Sequence, residues 1–211
     1  PVRAPADNVM EILQNVPSLR AMADCTFVKL FDKDSTNMTP ADWVVMARAV
    51  APAAMSGKFD GIVMPHGTDT MAYTATALGL VLTGLSIPLV ITGSQMPLLQ
   101  HGSDARVNLE RAMKTAIEAA SRGYAEVMVV FDHRILRGVR TIKADEKRFD
   151  AFHSPAFPEL GEHHGDGITW SRTVRRAVKG SKIDLTKIRF AKGVLVVDLV
   201  PGLEPGIILG T

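Results

Sequence analysis

The sequence is poor in cysteine, with Cys25 as the single thiol among 211 residues. One thiol cannot close a disulfide within the chain, and the neighbouring Phe27 and Val28 are apolar, which is typical of a small core residue in a reducing compartment. Apolar runs long enough to span a membrane are missing, as is a signal peptide. We therefore expect a cytoplasmic protein that makes no contact with a membrane.

Aromatic residues are also scarce, at 6% of the chain, and the formal net charge is only +2. Basic residues are concentrated between positions 172 and 192, but only Trp170 and Phe190 lie in that part of the chain, so aromatic side chains on which bases could stack are too few. Such a run is typical of a solvated face. The main interpretation therefore includes no nucleic-acid partner.

Known cofactor motifs are absent too. Gly79, Gly84 and Gly93 are scattered, without the spacing of a phosphate- or dinucleotide-binding loop. The only candidate metal ligands, His163, His164 and Asp166, lie in a short polar segment with no further ligand cluster nearby. The pattern therefore predicts no metal site.

The remaining pattern is that of an α/β protein. Short apolar segments at 61–64, 87–92 and 126–131 alternate with helical patterns, one from Met71 to Thr83 and one that begins at Ser103 or Asp104. This alternation predicts a three-layer αβα fold with a mostly parallel sheet. Further strands are predicted at 25–31 and 193–199, and a hairpin is predicted around Gly138. Thr39 and Pro40 are typical of a helix start.

The segment from Asp60 to Thr74 carries the strongest functional signal. It predicts a buried strand, a sharp turn at His66 and Gly67, and a helix capped by Asp69 or Thr70. Thr68 and Asp69 then lie where α/β proteins bind ligands, beside the free N–H groups of a helix. A hydroxyl beside a carboxylate is a candidate catalytic pair, although both residue types are also ordinary caps. His66 is more typical of a local hydrogen bond than of a direct role.

Five segments, in the same order, resemble the cytoplasmic type I branch of the asparaginase family: residues 34–40, 66–72, 91–97, 103–109 and 137–145, the last continued by 149–155. The resemblance implies the fold of the large asparaginase domain. It also implies an enzyme that cleaves the side-chain amide of L-asparagine to L-aspartate and ammonia. No metal or organic cofactor is implied, and the expected assembly is a homo-oligomer, a dimer or a tetramer.

The resemblance assigns roles to individual residues. Thr68, Asp69 and Lys143 match a catalytic Thr–Asp–Lys arrangement, and Asp69 would also contact the α-amine of the substrate. A threonine hydroxyl needs a nearby base, and a desolvated lysine held by a carboxylate can serve as one. The segment that would hold the α-carboxylate and amine end of the substrate is Asp34, Ser35 and Thr36.

Two parts of the family pattern are not found in these residues. One is a first strand ending in Gly-Gly-Thr-Ile, whose threonine is usually taken as the attacking nucleophile, with an assisting tyrosine on the following loop. The other is a smaller carboxy-terminal domain. We therefore expect residues 1–192 to form the large catalytic domain, and residues 193–211 to be its last strand and a linker toward the smaller domain.

Two other functions remain open from the sequence. The ammonia-producing subunit of a tRNA-dependent amidotransferase shares the same motifs. A catalytically incomplete fragment that only binds an amino acid would keep the pocket without a nucleophile. Ammonia release by the complete protein distinguishes the catalytic interpretations from the last one.

Overall fold

The computed structural model describes residues 12, 14–165, 167–198, 200–204 and 206. Its main sheet has six strands in the order β1-β2-β3-β4-β7-β8, and β5 and β6 form a separate pair. The strands are β1 (Ile62–Pro65), β2 (Leu89–Thr92), β3 (Val127–Phe131), β4 (Arg134–Arg137), β5 (Ile142–Lys143), β6 (Phe152–His153), β7 (Gly161–His164) and β8 (Gly167–Trp170).

The α-helices whose bounds lie within the described residues are α1 (Ser18–Met22), α2 (Pro40–Met55), α3 (Thr68–Val81) and α4 (Ala105–Ser121). Short 3-10 helices occur at Ser35–Asn37, Gly138–Arg140 and Leu185–Lys187. The predicted start of α2 is confirmed, with Thr39 at the N-cap and Pro40 in the first turn. The N–H and hydroxyl of Thr39 both donate to the Asp42 carboxylate, which fixes the entry of the chain into α2.

The sheet is mixed. β1, β2 and β3 are parallel neighbours, whereas β4, β7 and β8 add antiparallel pairs. The hairpin predicted around Gly138 is wrong, because the chain reverses at Asp132 and His133, between β3 and β4. Asp132 has a φ of 51° there, a left-handed conformation that aspartate tolerates better than most residues do. Gly138 lies in a 3-10 helix instead.

Helices cover both faces of the parallel strands, which confirms the predicted α/β class. Leu89 and Ile91 of β2 face the core formed with α2 and α3, whereas Val90 between them faces the core formed with α4. Alternating side chains of one strand therefore enter two different cores. This explains why β2 and β3 are apolar at nearly every position.

Two predicted strands are not formed. Residues 25–31 and 193–198 pair with no strand of the described chain, and Leu199 lies outside it. Val28 is 73% exposed and Val196 is 86% exposed. A β-branched pattern favours a strand only where a neighbouring strand is available for pairing. No helix in the described ranges has the length and apolarity needed to cross a lipid bilayer.

Candidate functional site

The helix that carries Thr68 and Asp69 begins earlier than predicted. α3 starts at Thr68, with Gly67 at its N-cap, so the predicted caps Asp69 and Thr70 lie inside its first turn. A helix leaves its first N–H groups without intrahelical partners, and an acidic residue there is stabilised by the helix dipole. Thr68 and Asp69 thus lie beside free backbone donors at the end of β1, as the sequence indicated.

The turn before α3 is packed closely against the end of β2. The His66 N–H donates to the Thr92 carbonyl over 2.8 Å, which extends the ladder beyond β1. A Cβ added at Gly93 would lie 2.4 Å from the His66 carbonyl oxygen, so only glycine fits at this position. The ends of β1 and β2 therefore form one rigid edge under Thr68.

Lys143 reaches this edge from a distant part of the chain. Its strand β5 pairs with β6, where Lys143 lies opposite Phe152, and the Phe152 ring packs against Phe131 of β3. Lys143 Nζ lies 3.2 Å from Thr68 Oγ1 and 2.7 Å from Asp69 Oδ1. The structure thus brings together the three predicted catalytic residues.

A second carboxylate also contacts this lysine. Glu146 Oε2 lies 2.5 Å from Lys143 Nζ, and its side chain is 76% exposed, whereas that of Lys143 is 8% exposed. Burial alone lowers the pKa of Lys143, but hydrogen bonds and charge from Asp69 and Glu146 outweigh it and leave the pKa above its usual value. Sequence reasoning missed Glu146, although its position three residues after Lys143 was a usable signal.

The predicted substrate-holding segment lies against the first turn of α3. The Thr70 hydroxyl donates to the Ser35 carbonyl over 2.7 Å, and Ser35 is buried. Asp34 Oδ1 accepts from the backbone N–H and the hydroxyl of Thr36, at 2.9 and 2.8 Å. These two bonds lower the pKa of Asp34. The sequence did not identify Thr70 as the residue that anchors this turn.

A partly buried chain of hydrogen bonds supports the turn from the other side. Trp43 Nε1 donates to Thr74 Oγ1 over 2.9 Å, and Thr74 Oγ1 lies 3.0 Å from His66 Nε2. His66 Nδ1 lies 2.7 Å from the Gly67 carbonyl oxygen, so the neutral ring donates there when Thr74 donates to Nε2. Burial lowers the pKa of His66, which favours this neutral form. His66 therefore makes the local bond that the sequence indicated.

Asn108 of α4 connects the ends of β2 and β3. Its Nδ2 donates to the Gly93 carbonyl and to Asp104 Oδ2, both at 3.0 Å. Its Oδ1 accepts from the Asp132 N–H, also at 3.0 Å. Asp104 occupies the N-cap position of α4, but its carboxylate accepts from the backbone of residues 95 and 96. One buried amide therefore fixes two of the turns around the site.

The candidate metal ligands do not converge. The buried His163 has its Nε2 2.9 Å from the Thr115 hydroxyl, whereas the exposed His164 pairs with Glu162. Adjacent residues of strand β7 point to opposite faces. Asp166 lies outside the described residues. Among those that are described, histidine, cysteine and acidic side chains form no group of three or more that could hold a metal ion.

The chain matches one protein family over most of its length. The sequence profile described as "Asparaginase, N-terminal" matches residues 2–176. L-asparaginase 1 of Escherichia coli K12 is 46% identical over 129 residues, which are 61% of this chain and 37% of that protein. The crystal structure of L-asparaginase I from Vibrio cholerae has a TM-score of 0.80 at 35% identity, and covers 98% of this chain and 62% of that one.

The relatives of this chain also include a protein of a second kind, an amidotransferase subunit. A glutamyl-tRNA(Gln) amidotransferase subunit of Metallosphaera sedula is 32% identical over 216 aligned positions, which cover 97% of this chain and 47% of that protein. The chain thus spans about half or less of the curated relatives' own length.

Proposed function

Because the chain belongs to the asparaginase family, in its type I branch, we propose that it supplies the large domain of an L-asparaginase. The reaction would be hydrolysis of the side-chain amide of L-asparagine to L-aspartate and ammonia. The observation that carries this proposal is the meeting of Thr68, Asp69 and Lys143 at the amino end of α3. A hydroxyl, a carboxylate and a lysine from segments about 75 residues apart come within hydrogen-bond distance there.

The three residues have complementary roles in this proposal. Neutral Lys143 takes the proton of the Thr68 hydroxyl, which makes that oxygen nucleophilic toward the amide carbon. Negative charge then develops on the carbonyl oxygen, where free N–H groups at the start of a helix stabilise it. The C–N bond breaks, ammonia leaves with the proton held by Lys143, and water hydrolyses the resulting ester. In a longer chain, the threonine of a Gly-Gly-Thr-Ile segment would share the nucleophilic role with Thr68.

The α-amine and α-carboxylate end of the substrate would be held by a second set of groups. Asp69, 48% exposed on its side chain, offers one carboxylate oxygen to Lys143 and has room to bind the α-amine of asparagine. The turn at Asp34, Ser35 and Thr36 is fixed to α3 through Thr70 and provides hydroxyls and a carboxylate for the α-carboxylate and amine end. We assign no cofactor to this reaction.

The proposal extends to the organisation of the complete protein. Residues 1–192 would be the large catalytic domain, and residues 193–211 the linker toward a smaller domain. We further propose a cytoplasmic homo-oligomer, dimer or tetramer, in which a neighbouring subunit completes each site.

The test is ammonia release from asparagine and from glutamine. We would measure it on the 211-residue chain and on a longer chain extended at both ends. Release from asparagine by the longer chain supports the proposal. Failure of the longer chain with both amides, with and without tRNA, leaves only amino-acid binding and overturns it.

Thr68→Val in the longer chain tests the assigned hydroxyl. Valine keeps the shape of threonine, so we expect turnover to fall by about 100-fold or more while the fold persists. Thr76→Val is the matched control, because Thr76 is on the same helix with only a weak 3.4 Å bond to the Gly138 carbonyl. Equal turnover of the two variants would remove Thr68 from the mechanism.

A tRNA-dependent amidotransferase subunit is the second candidate, favoured by the 97% coverage of this chain in the Metallosphaera sedula comparison. It predicts ammonia release from glutamine that depends on a partner protein and tRNA. Asparagine hydrolysis by the longer chain alone would exclude it.

A further inference from the structure

The ammonium of Lys143 has all of its hydrogen-bonding capacity in use. An ammonium group has three N–H donors. In Lys143 these face Thr68 Oγ1 at 3.2 Å, Asp69 Oδ1 at 2.7 Å and Glu146 Oε2 at 2.5 Å. In this arrangement the lysine donates to the Thr68 hydroxyl, so it holds a proton where the proposed reaction needs a base.

The two carboxylates that hold this proton differ in their surroundings. Asp69 is on α3, whose first turn is anchored to the Ser35 turn through Thr70. Glu146 is in the loop after β5, and its side chain is 76% exposed where it pairs with Lys143. An exposed carboxylate is well hydrated and gains little from an ion pair, so it can leave Lys143 easily.

No other acidic side chain in the described part lies within ion-pair distance of Lys143. Asp69 approaches from α3 and Glu146 from the loop. Strand β6, which packs against β5, places His153 opposite Ile142 rather than opposite Lys143. The charge state of the lysine therefore depends on these two carboxylates and on burial.

We propose that Glu146 is a positioning residue that, together with Asp69, holds the proton on Lys143, and that it must move into solvent before Lys143 can act as the base. When Glu146 leaves, the third N–H of the ammonium is free, and its proton passes to water. The neutral amine then accepts the Thr68 proton. This inference rests on the proposed function for its kinetic consequence, but the contact between Glu146 and Lys143 is independent of it.

The test compares Glu146→Gln with Asp150→Asn in the chain extended at both ends. Asp150 is a carboxylate of the same loop that pairs with Arg148 at 3.0 Å, so its substitution removes the same charge without touching Lys143. Two quantities are measured: the pKa of Lys143, from the 13Cε signal that Lys143→Arg removes, and the pH profile of kcat/KM for asparagine.

Glu146→Gln should lower the pKa of Lys143, and the acid limb of the profile should move to lower pH, because more of the lysine is neutral at each pH. KM on the plateau should stay within about twofold of the parent value, since Glu146 is not assigned to substrate. Asp150→Asn should change none of these quantities.

An unchanged Lys143 titration in Glu146→Gln overturns the inference. A lowered Lys143 pKa in a chain that releases no ammonia from either amide has a different meaning: the hold of Glu146 on the lysine proton stands, and the proposed function fails. A purely structural role for Glu146 would lower kcat at every pH without moving the acid limb, and this outcome also overturns the inference.

Discussion

Ser35 and Gly67 fit against each other with no space for an additional carbon. A Cβ at Gly67 would lie 2.6 Å from Ser35 Oγ and 2.7 Å from Ser35 Cβ. Gly67→Ala should therefore displace the Asp34–Thr36 turn, lower the free energy of unfolding by about 1–3 kcal/mol and raise KM. Urea unfolding and steady-state kinetics measure the two effects.

Two further variants make this prediction specific. Gly167→Ala is the control, because its new Cβ would lie 3.8 Å from the His164 carbonyl oxygen, an ordinary van der Waals distance. Adding Ser35→Gly to Gly67→Ala removes both atoms of the clash and should restore most of the lost stability. A Gly67→Ala protein as stable as the parent would contradict the close contact.

At the residue scale, sequence reasoning named a residue where a motif marked it. Lys143 has no local feature that distinguishes it from an exposed loop lysine, and only the family motif indicated its role. The contacts of Thr70 and Thr74 had no such mark, because they depend on how distant segments meet. Their partners Ser35 and Trp43 lie on other elements, which a linear pattern does not encode. Glu146 was missed although it lies only three residues after its partner Lys143.

At the scale of elements, a buried ion pair attaches the part of the chain that follows β8 to the sheet. Arg137 of β4 contacts Glu126 at 2.6 Å and donates to the Thr173 carbonyl, and Glu126 accepts from the Arg175 N–H. Glu126→Met should cost about 3–5 kcal/mol of unfolding free energy, because it leaves a buried guanidinium without its counter-charge. Chemical denaturation measures this loss.

The double variant Glu126→Met, Arg137→Met should recover much of that loss, since both charges are then gone. Asp32→Asn provides the exposed comparison: its pair with Lys29 has side chains 43% and 46% exposed, and its loss should cost at most about 1 kcal/mol. A small effect of Glu126→Met alone would contradict the importance of the buried pair.

The accuracy of the predicted elements follows their burial. β2 and β3 were predicted because both of their faces enter a core, which makes nearly every position apolar. The segments 25–31 and 193–198 have a similar composition, yet no neighbouring strand pairs with them in the described chain. Strand pairing is a property of two segments, so a single apolar run cannot establish it.

At the scale of the whole molecule, His163 couples stability to pH. Burial, followed by the positive charges of Arg111 and Lys114, lowers the pKa of His163 to about 4 from its ordinary 6.5. The unfolded chain therefore binds this proton more readily than the folded one. The contribution of neutral His163 to the free energy of unfolding is complete above about pH 6.5 and is lost as the pH falls toward 4.

This loss should amount to about 3 kcal/mol, by the conversion of a pKa difference into free energy. Urea unfolding at pH 7 and pH 4.5 should show a smaller pH effect in His163→Gln, whose amide keeps a partner for the Thr115 hydroxyl. His101→Gln, at an exposed position, should behave like the parent protein. An equal pH effect in all three proteins would contradict the assignment.

The sequence predicted the α/β class from the alternation of strands and helices, but not where the sheet becomes antiparallel. The change comes after the turn at Asp132. This residue has a left-handed backbone although it is not a glycine, and the sequence pattern does not predict that conformation. The strand–helix repeats before Asp132 were regular enough to be predicted from the sequence. The antiparallel part, with its more polar strands, was not.

The amide of Asn108 has a consequence for how the molecule opens. Because it binds the Gly93 carbonyl and the Asp132 N–H at once, a displacement of the Asn108 side chain breaks a bond to each of the two turns. We therefore expect the residues around positions 93 and 132 to open together in local unfolding. Amide hydrogens at the ends of β2 and β3 should exchange with solvent together, at one shared rate of opening.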